Sequence, residues 1–329
     1  MTLPLPRLTL AQAPLTCEID AVNEYGEQLK VSIPAERALT VYVDKRELVT
    51  LMTLGAHPEL LVLGYLRNQR LVREVTDIES ITVDWDVGVA AVKTRQGIEN
   101  IEEKTSRRVV TTGCGQGSVF GGLMDEVDQI KLPRSASITQ SQLYGLVNTI
   151  RLKETTYKSA GSVHACALFD TAPSEPEMRL FVEDVGRHNA MDTIAGWLWM
   201  QVDIAPTLAT ACAALPPEGA VPPWGGPAAE LAPTLAVPLA ALPSECAGGL
   251  VFYTTGRMTS EMVIKSAQMG VPIVVSRSGI TQMGHQVAQS VGLCAIGRAT
   301  NKRFVCYTQP QRLKLQPGLV LSPRPSGEG

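Results

Sequence analysis

The sequence predicts an α/β protein in two parts, an N-terminal α+β domain and a C-terminal domain on a parallel core sheet. Three observations carry that prediction. Over residues 250–296, apolar strand patterns alternate with helical ones. A β-α-β-α-β order implies right-handed crossovers and hence parallel strands. Nearer the N-terminus, Ile81, Val83 and Trp85 alternate with Thr82 and Asp84, and Asp86-Val87-Gly88 can reverse the chain into a second strand through Val92. Finally, 329 residues with 45% hydrophobic and 19% charged side chains suffice for two sizeable cores and exclude a disordered or fibrous chain.

Residues 1–20 contain Pro4, Pro6 and Pro14 and are expected to be a flexible lead-in. The N-terminal domain is assigned to residues 21–132. It starts with a strand over Leu39–Val43, a helix over Arg46–Leu54 and a second helix from Pro58 through Leu66, where proline suits the first turn. After the hairpin, a short strand over Arg107–Thr112 runs into Gly113-Cys114-Gly115-Gln116-Gly117. Residues 133–137 read as a linker into a second domain at 133–310. A helix over Thr139–Lys153 there places Leu143, Val147 and Ile150 on one face. Strands over Val163–Phe169 and Leu180–Glu183 follow, and Asp184-Val185-Gly186-Arg187-His188-Asn189 opens a helix containing Ile194, Trp197 and Leu198.

Composition then shifts. No lysine or arginine occurs between Arg187 and Arg257, and residues 205–247 are rich in proline and alanine. Pro216-Pro217, Pro222-Pro223 and Pro233 forbid a long helix or central strand, so this stretch reads as an insertion. Beyond it come a strand over Leu250–Thr254 and a helix over Thr259–Met269, capped by Thr259 or Ser260 and ended by Gly270. A strand over Pro272–Val275, a helix over Thr281–Val291 and strands over Leu293–Ile296 and Arg303–Tyr307 complete the domain. Residues 311–329 read as a C-terminal tail.

A net charge of -3 argues against nucleic-acid binding through bulk charge. No stretch approaches the ~20 apolar residues of a membrane-spanning helix, and Met1–Pro14 lacks the basic and apolar regions of a signal peptide. Seven scattered cysteines read as reduced thiols of a cytoplasmic protein. Cys166, Cys294 and Cys306 fall in apolar strands and are expected in the core, while Cys212 and Cys246 in the insertion are incidental. His57, His164, His188 and His285 form no ligand pattern, and no HxE pairs with a PCxxC as in zinc nucleobase deaminases. No structural metal is expected.

Ligands of open α/β sheets collect at the carboxyl ends of the strands. Here the strand ending at Glu183 is followed by Arg187, the next by Gly256-Arg257, the third by Ser276-Arg277-Ser278 and the fourth by Gly297-Arg298. Any one of these reads alone as a surface arginine. Four at equivalent topological positions point to a polyanion, a nucleotide or pyrophosphate rather than DNA. The glycines around Cys114 leave its sulfur accessible and free backbone N–H groups to stabilise a thiolate, although a glycine turn around a small buried thiol fits them as well. His188 fits a site role and a structural one equally.

Several segments together resemble the FdhD family, which supplies sulfur for formate dehydrogenase. They are Thr112-Gly113-Cys114-Gly115, Val163-His164, Glu183 through Ala190 with Asp192, Thr255-Gly256-Arg257 with Glu261 through Lys265, Pro272 through Ser278, and Tyr307-Thr308. The resemblance implies a C-terminal three-layer α/β/α domain of cytidine-deaminase-like fold without the zinc chemistry. It implies a sulfurtransferase that takes persulfide sulfur from a cysteine desulfurase onto Cys114. That sulfur would pass to the bis-molybdopterin guanine dinucleotide cofactor before its insertion into the catalytic subunit of formate dehydrogenase. Arg298-Ala299-Thr300-Asn301-Lys302-Arg303-Phe304 is similar to the family's cofactor-contacting segment, joining Arg187, His188, Gly256, Arg257, Ser276, Arg277 and Ser278 as expected cofactor-binding residues. A homodimer is left open, and neither a nucleic acid nor a membrane is an expected partner. Many family members carry CxxC where this chain has Gly117 as the second position, so a two-cysteine mechanism does not carry over. A non-catalytic molybdenum-cofactor chaperone is the alternative reading, and a nucleotide-modifying enzyme ranks behind both.

Overall fold

The computed structural model describes residues 3–98, 109–110, 117–118, 130, 132–153, 155–202 and 249–319. Cys114 and the insertion at 205–247 lie outside the described residues, as do 320–329 of the expected tail.

The N-terminal part holds strands β1 (Arg7–Leu8), β2 (Thr16–Val22), β3 (Gln28–Pro34), β4 (Arg37–Val43), β5 (Arg46–Thr53), β6 (Ile78–Asp84) and β7 (Val89–Thr94), with helix α1 (Pro58–Asn68) between β5 and β6. Its main sheet runs β1-β6-β7-β4-β5, while β2 and β3 pair as a separate hairpin. Leu39, Val41, Leu51 and Ile81 of the sheet and Leu61, Val62 and Leu66 of α1 form its core. The short strands β8 (Val109–Val110) and β9 (Gly117–Ser118) pair antiparallel.

Two sequence expectations change here. Arg46–Leu54 is not a helix but strand β5, paired antiparallel with β4. Asp44 and Lys45 both take positive φ, 47° and 71°, which makes the tight turn of a β-hairpin. The Asp44 carboxylate steadies that turn by accepting from the Thr94 amide and hydroxyl at 2.9 and 2.6 Å. Val49, Thr50 and Thr53 then favour extended chain. Nor is 1–20 a flexible lead-in: Arg7 and Leu8 pair in parallel with Ser80 and Ile81. The cause is a buried carboxylate on α1, since Glu59 accepts from Thr9 Oγ1 at 2.6 Å and from the Ala11 amide at 2.7 Å.

The C-terminal part comprises β10 (Ile138–Thr139), α2 (Gln140–Lys153), α3 (Thr155–Ala160), β11 (His164–Asp170), β12 (Glu177–Asp184), α4 (Arg187–Val202), β13 (Leu250–Thr254), α5 (Ser260–Gln268), β14 (Ile273–Ser276), α6 (Gln282–Ser290), β15 (Cys294–Thr300), β16 (Arg303–Cys306) and β17 (Leu313–Lys314). Strand order is β12-β11-β13-β14-β15-β16. The β13-β14-β15 core is parallel as expected, but β11 and β16 run antiparallel to their neighbours, so the sheet is mixed. One face packs on α4, α5 and α6 through residues such as Ile194, Val263 and Val287. The other packs on α2 through Leu143, Leu146 and Ile150. The chain stays ordered beyond residue 310: β17 pairs with β10, and Arg312 donates to the carbonyls of Pro133 and Ala136 at 2.6 and 3.2 Å. Its early residues thus belong to the second core rather than to a tail.

Helices α1 and α4 join the two parts. A Cβ at Gly64 would lie 1.7 Å from the Asp192 carbonyl oxygen, and one at Gly196 would lie 2.0 Å from that of Leu60. Only glycine permits so close a crossing. No helix among the described residues is long and apolar enough to cross a membrane.

Candidate functional site

Because β11 runs antiparallel to both β12 and β13, the strands β12, β13, β14 and β15 point the same way. Their carboxyl ends therefore share one sheet edge, where the four arginines gather. Backbone and small side chains stitch the turns together there. The Ser276 hydroxyl donates to the Gly256 carbonyl at 2.7 Å and accepts from the Ser278 amide at 3.0 Å. The Arg277 amide donates to the Thr254 carbonyl at 2.9 Å, and the Arg298 amide to that of Ser278 at 2.6 Å. Ser276, Ser278 and Gly256 thus shape the edge, with the Ser276 hydroxyl bridging the other two.

Arg187 begins α4 and is only 4% exposed. Its side chain lies on Gly256, where a Cβ would approach Arg187 Cδ to 2.7 Å. Its Nε and Nη2 are buried with no partner among the described residues. Unpaired buried donors are costly and rare, and on a cation they call for an anion. Burial first, then the charges of Arg187 and Arg257, lowers the pKa of half-buried His164, so its ring is neutral at pH 7. His164, Thr255, Arg277 and Tyr157 line a hollow of about 220 Å³.

Two more hollows continue from it. One of about 300 Å³ shares Tyr157 and Arg277 and adds Arg151, Lys158, Thr300 and Asn301, with Ala299 at its base. The next, of about 680 Å³, shares Thr300 and adds Arg298, Lys302, Arg303, Phe304 and Tyr144. No carboxylate among the described residues lines any of the three. For a chain of net charge -3, such a run of cations is a concentrated positive field.

The β15–β16 hairpin presents the last group. Arg298 sits in a bulge at φ 52°, and Asn301 turns the chain at φ 50°. The Tyr144 hydroxyl donates to the Lys302 carbonyl at 3.2 Å, holding the turn against α2. Tyr157 is positioned from β12: the buried Glu183 carboxylate accepts from the amides of Thr156 and Tyr157 at 2.7 and 3.1 Å. Arg277 then lies 6.0 Å over the Tyr157 ring.

Arg187, Arg257 and Arg277 thus surround His164, while Arg298 joins Lys302 and Arg303 in the adjoining groove. His188 faces inward instead. It is 5% exposed, with Nδ1 3.6 Å from Glu261 Oε1. Burial first, then Lys265, pushes its pKa down to about 3 against the opposing pull of Glu261. Behind it, Lys265 donates to Asp192 at 3.0 Å and lies 3.3 Å from Glu261, while Asn68 of α1 donates to Asp192 at 2.7 Å. Burial works against the Lys265 ammonium, but the two carboxylates outweigh it and raise its pKa. No group of three or more His, Cys, Asp or Glu side chains among the described residues could hold a metal ion.

Sequence reasoning did not single out Arg151, Lys158, Tyr144 or Tyr157. All four come from helices α2 and α3, which topology, not strand-end position, brings to the edge. The excess of cations near the ends of those two short helices was the one available signal.

The model of the FdhD/NarQ family matches residues 34–211 and 240–314. The chain belongs to the FdhD/NarQ family. Among curated relatives, the sulfur carrier protein FdhD of Bacillus subtilis (strain 168) is 28% identical over 301 residues, spanning 88% of this chain and 94% of the relative. The protein of the same name from Bacillus pumilus (strain SAFR-032) is 27% identical over 305 residues, spanning 91% and 92%. A crystal structure provisionally described as a formate dehydrogenase accessory protein, from Desulfotalea psychrophila, superposes with a TM-score of 0.62 at 17% identity. It covers 91% of this chain and 100% of that one, so the mixed α/β arrangement is a fold the FdhD/NarQ chain shares with it.

Proposed function

We propose that this chain is a sulfur carrier for formate dehydrogenase maturation. In this reading the Cys114 thiolate attacks the outer sulfur of a cysteine desulfurase persulfide, the donor thiolate leaves, and Cys114 holds the sulfane sulfur. The sulfur then passes to bis-molybdopterin guanine dinucleotide, bound as substrate, before that cofactor enters the catalytic subunit of formate dehydrogenase. The reading includes a cytoplasmic setting, a cytidine-deaminase-like fold for the C-terminal domain and, as an open element, a homodimer.

The observation that carries the reading is the carboxylate-free run of cations along the three hollows, together with the buried, unpartnered Nε and Nη2 of Arg187, whose charge acts on His164 at one end of it. A cargo with two pyrophosphates supplies anions for both arginine groups. Arg187, Arg257 and Arg277 suit one phosphate group by charge, and Arg298, Lys302 and Arg303 suit another. Tyr144 and Phe304, with ring centroids 6.2 Å apart, offer aromatic surface to a guanine base.

The test has two arms. Incubation with a desulfurase and cysteine should add one sulfur to the Cys114 peptide, read by mass. Transfer by Cys114→Ala at the wild-type rate would end the sulfurtransfer reading. Guanosine diphosphate should bind, and Arg277→Glu should weaken it at least tenfold; equal affinity would leave the cations as surface charge.

Gly117 supports a second reading. Without a second thiol at that position, the chain could hold the molybdenum cofactor without carrying its sulfur. Cys114→Ser would then restore formate dehydrogenase activity in cells lacking the protein.

A further inference from the structure

The β15–β16 hairpin that presents Arg298, Lys302 and Arg303 has two cysteines at its base. The sulfurs of Cys294 and Cys306 lie 3.9 Å apart. Ile296 is the cross-strand partner of Cys306, so Cys294 is its diagonal neighbour on the same face of the sheet. That face is the one packed on α2, with Ile138 and Leu313 alongside. Cys294 is fully buried, whereas Cys306 is half-buried on the strand that ends the sheet. The outer sulfur can therefore meet a small solute while the inner one waits behind it.

The two thiols are also unequal in acidity. The hydrogen bond between the two sulfurs holds the Cys306 thiol below its ordinary pKa, although burial opposes this. The same bond, reinforced by burial, pushes Cys294 up. A disulfide requires sulfurs ~2.05 Å apart, so closure needs an approach of about 2 Å, within reach of side-chain rotation and a small strand shift.

We propose that Cys294 and Cys306 form a redox modification site, a dithiol that hydrogen peroxide converts to a disulfide across the base of the hairpin. The Cys306 thiolate attacks one peroxide oxygen, the O–O bond breaks, and the departing hydroxide takes a proton to become water. Cys306 is now a sulfenic acid. Cys294 loses its proton, attacks the Cys306 sulfur and displaces the hydroxyl group, which leaves as a second water. Two electrons pass from the two sulfurs to the peroxide. The bond closes a loop containing Arg298, Thr300, Asn301, Lys302, Arg303 and Phe304, which gives the cationic groove an oxidised and a reduced form. Only that last consequence rests on the proposed function. The dithiol stands on its own geometry, so failure of sulfur transfer at Cys114 leaves it intact.

Reduced full-length protein treated with one equivalent of peroxide, quenched, unfolded and alkylated should answer the question by mass. Trypsin cuts after Arg298, Lys302 and Arg303, so the two cysteines end on separate peptides joined only by a disulfide. The expected product is that linked pair, lacking two hydrogens, released by dithiothreitol and absent from Cys294→Ser and Cys306→Ser proteins. Either of two results overturns the proposal: both cysteines recovered alkylated after peroxide, or Cys306 converted to sulfinic acid with Cys294 still alkylatable. Because wild-type protein carries the decisive reading, misfolding of a variant does not blur it.

Discussion

His188 should make the fold sensitive to mild acid. In the folded chain it is 5% exposed and its pKa is pushed down to about 3, first by burial and then by Lys265. In the unfolded chain it returns to about 6.5. The folded state therefore binds fewer protons below pH 6.5, so this group's stabilisation is complete above that pH and is lost as pH falls from 6.5 towards 3. One such site costs about 1.4 kcal/mol per pH unit, or about 2 kcal/mol between pH 6.5 and pH 5. His164 titrates in the same direction, its pKa lowered by burial first and then by Arg187 and Arg257. The clean measurement is consequently a difference of differences. Urea unfolding of wild type and His188→Gln at about pH 7.5 and pH 5 should show wild type losing about 2 kcal/mol more than the variant. The variant's own stability at neutral pH does not enter. Parallel pH profiles would refute the reasoning and mean that a proton enters the site, or that Glu261 turns to bind it.

Four further outcomes follow from contacts in the structure. Gly64→Ala places a methyl group 1.7 Å from the Asp192 carbonyl oxygen and should cost about 3 kcal/mol or more in thermal unfolding. Gly145→Ala, on helix α2 with only Pro176 at 3.5 Å, should instead gain up to about 1 kcal/mol. Lys265→Met leaves Asp192 buried without its counter-ion and should cost about 3–5 kcal/mol in chemical denaturation, most of it recovered by adding Asp192→Leu. Arg187→Met removes two unpartnered buried donors, so unfolding should become harder by about 1–2 kcal/mol while guanosine diphosphate affinity falls at least tenfold. A variant that loses stability and keeps its affinity would make Arg187 a structural residue.

The parallel β13-α5-β14-α6-β15 run was legible because buried parallel strands and amphipathic helices leave unambiguous patterns, and its strands located three of the four arginines, the fourth following β12. Arg46–Leu54 was not, because a hairpin depends on Asp44 and Lys45 adopting left-handed φ, which neither residue type announces as glycine or asparagine would. Nor were the strands of 1–20, since the carboxylate that recruits them sits on a helix about fifty residues away in sequence, at Glu59. Serines 276 and 278 look like ligands in sequence because small polar residues beside arginines fit anion sites. Only the three-dimensional turn shows Ser276 bonded to Gly256 and Ser278. His188 illustrates the same limit, for its neighbour Arg187 lies at the edge while its own ring faces Glu261.

The adjacent carboxylates Glu183 and Asp184 explain how the edge is held. Successive strand residues face opposite sides of a sheet, and β12 uses both. Glu183 reaches the α2 side, where it accepts from the amides that begin α3 and so sets Tyr157 beneath Arg277. Asp184 reaches the α4 side. There Thr53 and the Leu54 amide donate to one of its oxygens, and the Gly186 amide and Asn189 donate to the other. Asn189 also donates to the Met52 carbonyl at 2.6 Å. One carboxylate thus builds the cationic hollow, and its neighbour ties the turn bearing Arg187 to the end of β5. Asn68 and Lys265 repeat the tie at Asp192, and the Gly64–Gly196 crossing leaves no slack between α1 and α4. A hinge between the two sheets would have to break all of these contacts at once. Sulfur delivery in the proposed reaction therefore does not draw on domain closure, and the arginine edge is already assembled in the free chain.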